Sequence, residues 1–545
     1  MILILKMLKK NIIIYQSNKV INISKNFEND MIYIVGSGKI NSPKLINVNN
    51  DYELNNLAEA YRDQYVNWIY KQNQIFLKNK VIFKKASLFF FTDFSSKRSE
   101  LSHTYNYFIN TKQIEKIINK QKIEKITLVD CDKCLISMIK SIEGNYIFEV
   151  KREKRTNTKF LFIKTLAYFV KAFLIAVNNI FKKKDYDVDE SKIFISRYPL
   201  HFVKDNNDRV SEDKYTSMVS SNQKYAVSIL TDGFHQNVSL FSYLRLEKEL
   251  DKNKFYLIDR HITLSDLFLT ILVSLKFYFK WKKIYKNNFN LSSISITDSI
   301  LQDLNFSFYR VIRLILLYRC TEKFFQKVKT KEVIYYLHEY PYGRMITAIL
   351  KKYSIKHTAM QHGPASFRKL VYFLSKEETV YESDYYNSVP MPDHLLAEDE
   401  HSKKIYNYAN YRNVEVMNEI FRLNYLKNIK IKKKKFVLIA PGLHDGDLLL
   451  SKYYDIIKNN VNEKFLLKPH PRANNKYLKK YNLKNLTISG TSIDKLLCNA
   501  KKVVCTYSSV GYEAKVLGID VEMININGII NESPLGDANF NLTRQ

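Results

Sequence analysis

Short apolar runs rich in Ile, Val, Phe and Tyr alternate with helix-period stretches along most of this chain. That alternation predicts an α/β protein with parallel sheets, because parallel strands are covered on both faces and read as near-continuous hydrophobic runs. The runs fall into three series. The first is IYIVGS (32–37), SLFFFTD (87–93) and KITLVD (125–130), and predicts an N-terminal α/β unit over 1–150. KREKRTNTK (151–159) then reads as a charged connector, and 151–190 as a basic helical linker. The second series is KIFISRYP (192–199), YAVSILTDG (225–233), KFYLIDRH (254–261), EVIYYLHE (332–339), KHTAMQHG (356–363) and DHLLAED (393–399). It predicts a Rossmann-like domain over 191–425, interrupted by a helical insertion at 263–328. The third is tighter: KFVLIAPG (435–442), KFLLKPH (464–470), NLTISG (485–490), KVVCTYSS (502–509) and IDVEMIN (519–525). It predicts a second Rossmann-like domain over 426–545, reached through the basic stretch LKNIKIKKKK (426–435). Two such domains hold a ligand in the crevice between the carboxyl ends of their strands.

Composition changes this picture in two places. With 545 residues and 46% hydrophobic content, the chain has ample material for folded cores and is not a disordered polymer. Its formal net charge of +32 points to an anionic partner, whether phosphorylated substrate, membrane surface or nucleic acid. An AT-rich coding sequence would inflate Lys, Asn and Ile in the same way. The basic residues are scattered, and no RNA- or DNA-binding signature is present, so nucleic acid is not the expected partner.

Five cysteines make no disulfide framework and fit a reducing compartment. Cys131 and Cys134 form a C-x-x-C, which reads as a redox motif or as ordinary thiols; a zinc site needs a second ligand pair, and none is evident. The start, MILILKMLKKNIIIY, is broken by Lys6, Lys9 and Lys10 and does not read as a secretory signal. No run reaches the ~18 uninterrupted apolar residues of a spanning helix. Two come partway: LFIKTLAYFVKAFLIAVNNIF (161–181) and LFLTILVSLKFYFKWKK (267–283), both with lysine breaks and basic flanks. They read either as helices lying in an anionic bilayer interface or as buried core helices.

Five stretches carry candidate chemistry, all at predicted strand ends. In VVCTYSSVGYEAKVLG (503–518), a strand ends at Cys505, Thr506 to Ser509 make the turn, and a helix follows. Free backbone N–H groups at its positive end suit a phosphate, with the hydroxyls of Ser508 and Ser509 adding donors. Glu513 is placed to accept from ribose hydroxyls. In FLLKPHPR (465–472), Pro469 and Pro471 stiffen a strand exit and aim His470 outward between Lys468 and Arg472. In AMQHGP (359–364), Gly363 permits a tight turn beside His362, a candidate base or donor. YLHEYPYGRMI (336–346) offers Glu339 as a general base, and APGLHDGD (440–447) offers Asp445, with His444 and Asp447 nearby.

Taken together, QHGP, KPHPR and TYSSVGYEA resemble GT-B-like enzymes of bacterial surface polysaccharide synthesis. That group includes capsule and polysialic acid transferases and the CDP-glycerol glycerophosphotransferases of teichoic acid synthesis. The resemblance covers about 330–525. It implies a GT-B-like pair of Rossmann-type domains, here with an extra N-terminal α/β unit and basic amphipathic helices. By resemblance, His470 contacts donor phosphate, Ser508 and Ser509 hold the nucleotide phosphate, His362 is the cleft histidine of the first domain, and Glu513 binds ribose. Met360, Gln361 and Pro364 stand where the teichoic enzymes carry a tryptophan and a threonine around the His-Gly. Only HDGD approximates the acidic pair of polysialic acid transferases, so the base stays open between Asp445 and Glu339.

The expected function is therefore metal-independent glycosyl transfer from a nucleotide-sugar to a surface glycan or lipid-linked acceptor, for capsule, O-antigen or lipopolysaccharide. The nucleotide-sugar is a substrate, and no cofactor is expected. Lys468, His470, Arg472, Thr506, Ser508 and Ser509 would serve the donor, and Glu339, His362 and Asp445 the chemistry. The protein is expected at the cytoplasmic face of the membrane as a peripheral protein. The alternatives are CDP-polyol phosphotransfer and non-catalytic binding of membrane or nucleic acid.

Overall fold

A computed structural model describes residues 11–537 apart from 17–19, 22–29, 41–44, 155–158, 183–187, 198–201, 206, 214–223, 232–238, 381–383, 418–422, 424–425, 428, 433–434, 444, 471–472 and 474. Three open parallel sheets organise it. The first contains β1 (Asn11–Gln16), β2 (Met31–Val35), β3 (Ile46–Asn47), β4 (Lys125–Asp132) and β5 (Ile147–Lys154), in the order β3-β2-β1-β4-β5. The second contains β6 (Val188–Ser196), β7 (Lys224–Val227), β8 (Phe255–Leu257), β9 (Val328–Tyr336), β10 (Lys356–Met360), β11 (His394–Ala397) and β12 (Val414–Val416), in the order β8-β7-β6-β9-β10-β11-β12. The third contains β13 (Phe436–Ile439), β14 (Phe465–Leu467), β15 (Leu486–Ile488), β16 (Ala500–Cys505) and β17 (Asp520–Met523), in the order β15-β14-β13-β16-β17.

Each sheet thus runs outward one way from its first strand and then reverses. Every pairing within the three sheets is parallel. This is the doubly wound order, and it opens a crevice at the carboxyl ends of the two strands flanking the reversal. In the third sheet those strands are β13 and β16, where Ile439 lies beside Val504.

The N-terminal unit is not a separate body. Its core is continuous with that of the second sheet, whereas the third sheet has its own two apolar clusters. The stretch expected to be a helical insertion makes the join. Helix α5 (Thr297–Lys327) is buried over most of its length and packs against both halves. Its Arg310 Nη1 donates to both carboxylate oxygens of Asp93, at 2.9 and 3.0 Å. Arg344, on α6 (Pro341–Lys352), donates to Ser95 Oγ at 2.9 Å. Burying two guanidinium groups is tolerable because each finds oxygen partners from the other half.

Three elements differ from the sequence expectations. Residues 87–93 do not form the expected strand: only Ser87 ends a two-residue strand, Leu88–Phe91 form a 3₁₀ turn and Asp93–Ser96 a helical turn. Ser87 and Thr92 side chains accept from the N–H groups of Phe89 and Ser95, closing turns in place of a ladder. The lysine-broken start leads into β1, the central strand of the first sheet, at Asn11. The charged stretch from 151 is in part sheet, since β5 runs to Lys154, and α3 (Lys159–Ile180) packs along the helical layer of the second sheet rather than linking domains.

The chain also returns across the cleft after β17. Asn106 Nδ2 donates to Gly528 O and Asn106 Oδ1 accepts from Ile530 N. Asn531 N donates to Asn55 Oδ1, and Arg368 binds Asp537 at 3.0 Å. Residues 527–537 therefore belong structurally to the wall opposite the third sheet.

Candidate functional site

A cleft of about 960 Å³ lies between the third sheet and the rest of the molecule. Three loops of the third sheet form one wall. The loop after β13 supplies Pro441 and Gly442, the loop after β14 Lys468 and His470, and the turn after β16 Tyr507, Ser508 and Ser509. Lys468 N donates to Ile439 O, which ties the second loop to the central strand. Lys468 Nζ donates to Gly490 O at 3.3 Å.

Ser508 caps helix α8 (Ser509–Val516), its side chain accepting from Val510 N. The start of that helix, Ser508 to Val510, lines the cleft and turns its positive end toward it. Gly511 lets the helix start sit this close to the strand: a Cβ there would meet Cys505 Sγ at 2.5 Å. Glu513, one turn on, is buried and also lines the cleft.

The opposite wall holds His362, Gly363 and Lys369 from the second-sheet domain. Gly363 adopts φ +99°, and its N–H donates to Glu398 while its carbonyl accepts from Gln361 Nε2. This fixes the turn that presents His362, whose ring stacks on Tyr336 at 5.3 Å. The structure thus gathers His362, Lys468, His470, Ser508, Ser509 and Glu513 around one space. Arg472 and His444 lie outside the described residues.

The two carboxylates offered as general base are not in that space. Asp445 is fully buried beneath the β13 loop, and Thr506 Oγ1 donates to it. Burial pushes the Asp445 carboxyl up to about 6. Asp445 and Thr506 bolt together the two loops flanking the strand-order reversal, which is a supporting geometry for the turn rather than contact with a ligand. Glu339 is likewise buried, 3.2 Å from His338 Nδ1. Burial pushes Glu339 up to about 7 and drives His338 down, so the imidazole is held neutral and the carboxylate is penalised in the dry pocket they share. Only Tyr340, one residue on, reaches the cleft. Glu339 lies three residues after β9 and Asp445 six after β13, and following a strand does not decide whether a side chain turns into the crevice or under it.

Besides Glu513, the carboxylates that line the cleft come from elsewhere. Glu100 belongs to the N-terminal unit and Glu532 to the returning C-terminal segment. Ser99 Oγ donates to Glu532 Oε2 at 2.9 Å across 433 positions of sequence. Burial pushes Glu532 up to about 7, the charge of Glu100 adds to the rise, and Lys369 and the Ser99 hydroxyl oppose it. His103 and Ser102 of the same N-terminal stretch complete this wall. Nothing local in the sequence marks these residues.

Among the described residues, no group of three His, Cys, Asp or Glu side chains is placed to hold a metal ion. Cys131 and Cys134 are buried free thiols, and burial pushes Cys131 up to about 12 and Cys134 higher still. Both are held as thiols, a poor state for redox exchange.

Fold and cleft together define a doubly wound α/β protein whose interdomain crevice gathers Lys468, His470, Ser508 and Ser509 on one wall. No family model and no curated protein matches the chain. Among solved structures it is similar to a UDP-N-acetylglucosamine 2-epimerase from Rickettsia bellii, at 11% identity over 62% of this chain and 80% of that one, with a TM-score of 0.33. It is also similar to the wall teichoic acid polymerase TagF (13% identity, 70% and 88% covered, TM-score 0.30) and to the calicheamicin glycosyltransferase CalG4 (7%, 62% and 80%, 0.33). Superposition at these scores is loose, and the cleft is read from its own geometry.

Proposed function

We propose that this protein is a glycosyltransferase that moves a sugar from a nucleotide-sugar to a bacterial surface glycan or lipid-linked acceptor. The observation that carries the reading is the opposition of two walls in one cleft. Lys468, His470, Ser508, Ser509 and the first turn of α8 offer donors to a phosphate on one side, and Glu100 and Glu532 offer carboxylates on the other. In this reaction the acceptor hydroxyl gives its proton to a carboxylate oxygen of Glu532. The acceptor oxygen forms a bond to the anomeric carbon as the bond from that carbon to the phosphate oxygen breaks. The electron pair stays on the departing phosphate, where Lys468, His470 and the α8 amides offset its charge. These cationic and hydrogen-bonding groups do the work of a metal, so the proposed transfer is metal-independent. Glu513 is assigned to the ribose hydroxyls.

The test is thermal shift against CMP, CDP, UDP, GDP and their sugars, since a ligand that binds only the folded state raises Tm. Stabilisation by one nucleotide class, lost in Ser509→Ala and His470→Ala, is expected. Response to CDP-glycerol alone would convert the reading to polyol-phosphate transfer. Response to none, by a folded protein, would refute the donor assignment.

A further inference from the structure

Helices α3 and α4 (Leu264–Ile284) pack against each other on the outside of the second-sheet domain, and each is apolar on two faces. The inner face of α3 is a buried stripe, Leu161, Thr165, Tyr168, Ala172, Ile175 and Asn179, at helical spacing. That of α4 runs Leu267, Thr270, Ser274, Phe277, Trp281 and Ile284. An ordinary surface helix is polar opposite its stripe. These two are not. Phe162 is 58% exposed, Ile163 64%, Leu166 57%, Phe268 62%, Leu275 54% and Phe279 65%. More than half of all exposed large hydrophobic residues described in the molecule lie on this helix pair. A patch of this kind on a soluble surface marks an interaction site.

Charge selects the partner. The α3 helix has no acidic residue, and the one acid of α4, Asp266, is buried, capping its own helix and paired with Lys323 at 2.6 Å. The apolar face is instead rimmed by Lys164, Lys276, Lys282 and Lys283. The Lys280 ammonium is pushed down by partial burial and by Lys276, Lys80 and Lys283 around it, which marks a concentrated positive potential. A second copy of the same face would set lysines against lysines. An anionic bilayer interface satisfies both features, taking the aromatic and aliphatic side chains among its acyl chains and the ammonium groups among its phosphates.

The α3 segment Phe160–Ile180 is long and apolar enough to cross a membrane by length and composition. Its inner face argues against crossing. Arg313 Nη2 donates to Thr165 Oγ1 at 3.2 Å, and Asn179 Nδ2 donates to the carbonyls of Asp259 and Ile262 at 2.9 and 3.2 Å. A spanning orientation would tear these bonds and strip the buried stripe from the core. We infer that α3 and α4 form a two-helix platform that lies in the plane of an anionic membrane surface, inserting its outer side chains without spanning.

This rests on the platform and not on the transferase reading. The experiment is co-sedimentation of the full chain with vesicles of phosphatidylcholine alone and of phosphatidylcholine and phosphatidylglycerol in equal parts. The comparison is the variant Phe162→Ser/Leu166→Ser/Phe268→Ser/Phe279→Ser. The four sites are exposed, so the variant should fold, checked by an unchanged circular dichroism spectrum and Tm. Wild type is expected to sediment with the anionic vesicles, and the variant to lose at least about tenfold in partitioning. In a separate protein, Phe268→Trp should show a blue shift and quenching by brominated acyl chains. Alkaline carbonate should release the wild type from membranes. Equal sedimentation of variant and wild type, or no quenching, would overturn the platform. Retention after carbonate would overturn the in-plane orientation. Dimerisation without lipid that the variant abolishes would assign the face to a second copy instead.

Discussion

The sharpest consequence of the cleft concerns Glu532. If its carboxylate takes the acceptor proton, turnover must follow its ionisation, and that ionisation is set by named neighbours. With burial and Glu100 holding it up to about 7, the group is half ionised near neutrality and only about one-tenth ionised one unit lower. The rate at saturating donor should therefore climb about tenfold between pH 6 and a plateau above 8. An ordinary glutamate would level off by pH 6. Glu532→Gln keeps an acceptor for the Ser99 hydroxyl and should lower kcat by roughly 10²–10⁴-fold while leaving donor affinity intact.

The neighbours give the sign of three further shifts. Ser99→Ala removes a bond to the charged form and should move the inflection upward. Lys369→Met removes a favourable cation and should do the same. Glu100→Gln removes a repelling charge and should move it downward. Stability runs the opposite way to activity. A carboxyl whose folded pKa lies above its unfolded value binds more protons when folded, so its contribution to stability is present at low pH and lost as pH rises toward 7. Glu532→Gln should therefore melt no lower than wild type at pH 8. The assay is donor-saturated transfer or hydrolysis across pH 5.5–9, with melting followed in parallel. A flat profile, or one that Glu532→Gln and Glu100→Gln leave unmoved, would refute Glu532 as the base.

Three other outcomes are expected. Arg310→Met leaves the buried Asp93 carboxylate with only Arg98, at 3.5 Å, and should cost up to about 3–5 kcal/mol in urea unfolding, with much of the loss recovered in Arg310→Met/Asp93→Leu. Gly511→Ala drives a methyl group into Cys505 Sγ; it should cost about 1–3 kcal/mol and weaken nucleotide binding, and Cys505→Ala in the same chain should relieve both. Turnover should survive dialysis against a chelator, and full loss restored by a divalent cation would remove the phosphate-neutralising role given to Lys468 and His470.

The strands were readable because parallel strands covered on both faces are written as apolar runs, and β6, β9, β10, β13, β14 and β16 all stand where such runs stand. SLFFFTD obeys the same spelling and, beyond Ser87, is not a strand. Four apolar residues in a row record only that every side is buried, and the capping hydroxyls of Ser87 and Thr92 decide which backbone satisfies itself locally. The donor-side residues were readable for a related reason. Lys468, His470, Ser508 and Ser509 sit on turns that directly follow strands, so the topology carries them to the crevice whatever the rest of the chain does. Glu100, Lys369 and Glu532 enjoy no such rule. They meet because a wedge of the N-terminal unit is pinned by Arg310 and Arg344, and because the chain doubles back after β17 to hydrogen-bond with Asn106 and Asn55. The same contacts that fuse the N-terminal unit to the second-sheet domain thus build the carboxylate wall. It follows that loosening the wedge, even far from the cleft, should disable the acidic side of the site while leaving the phosphate side of the third sheet intact.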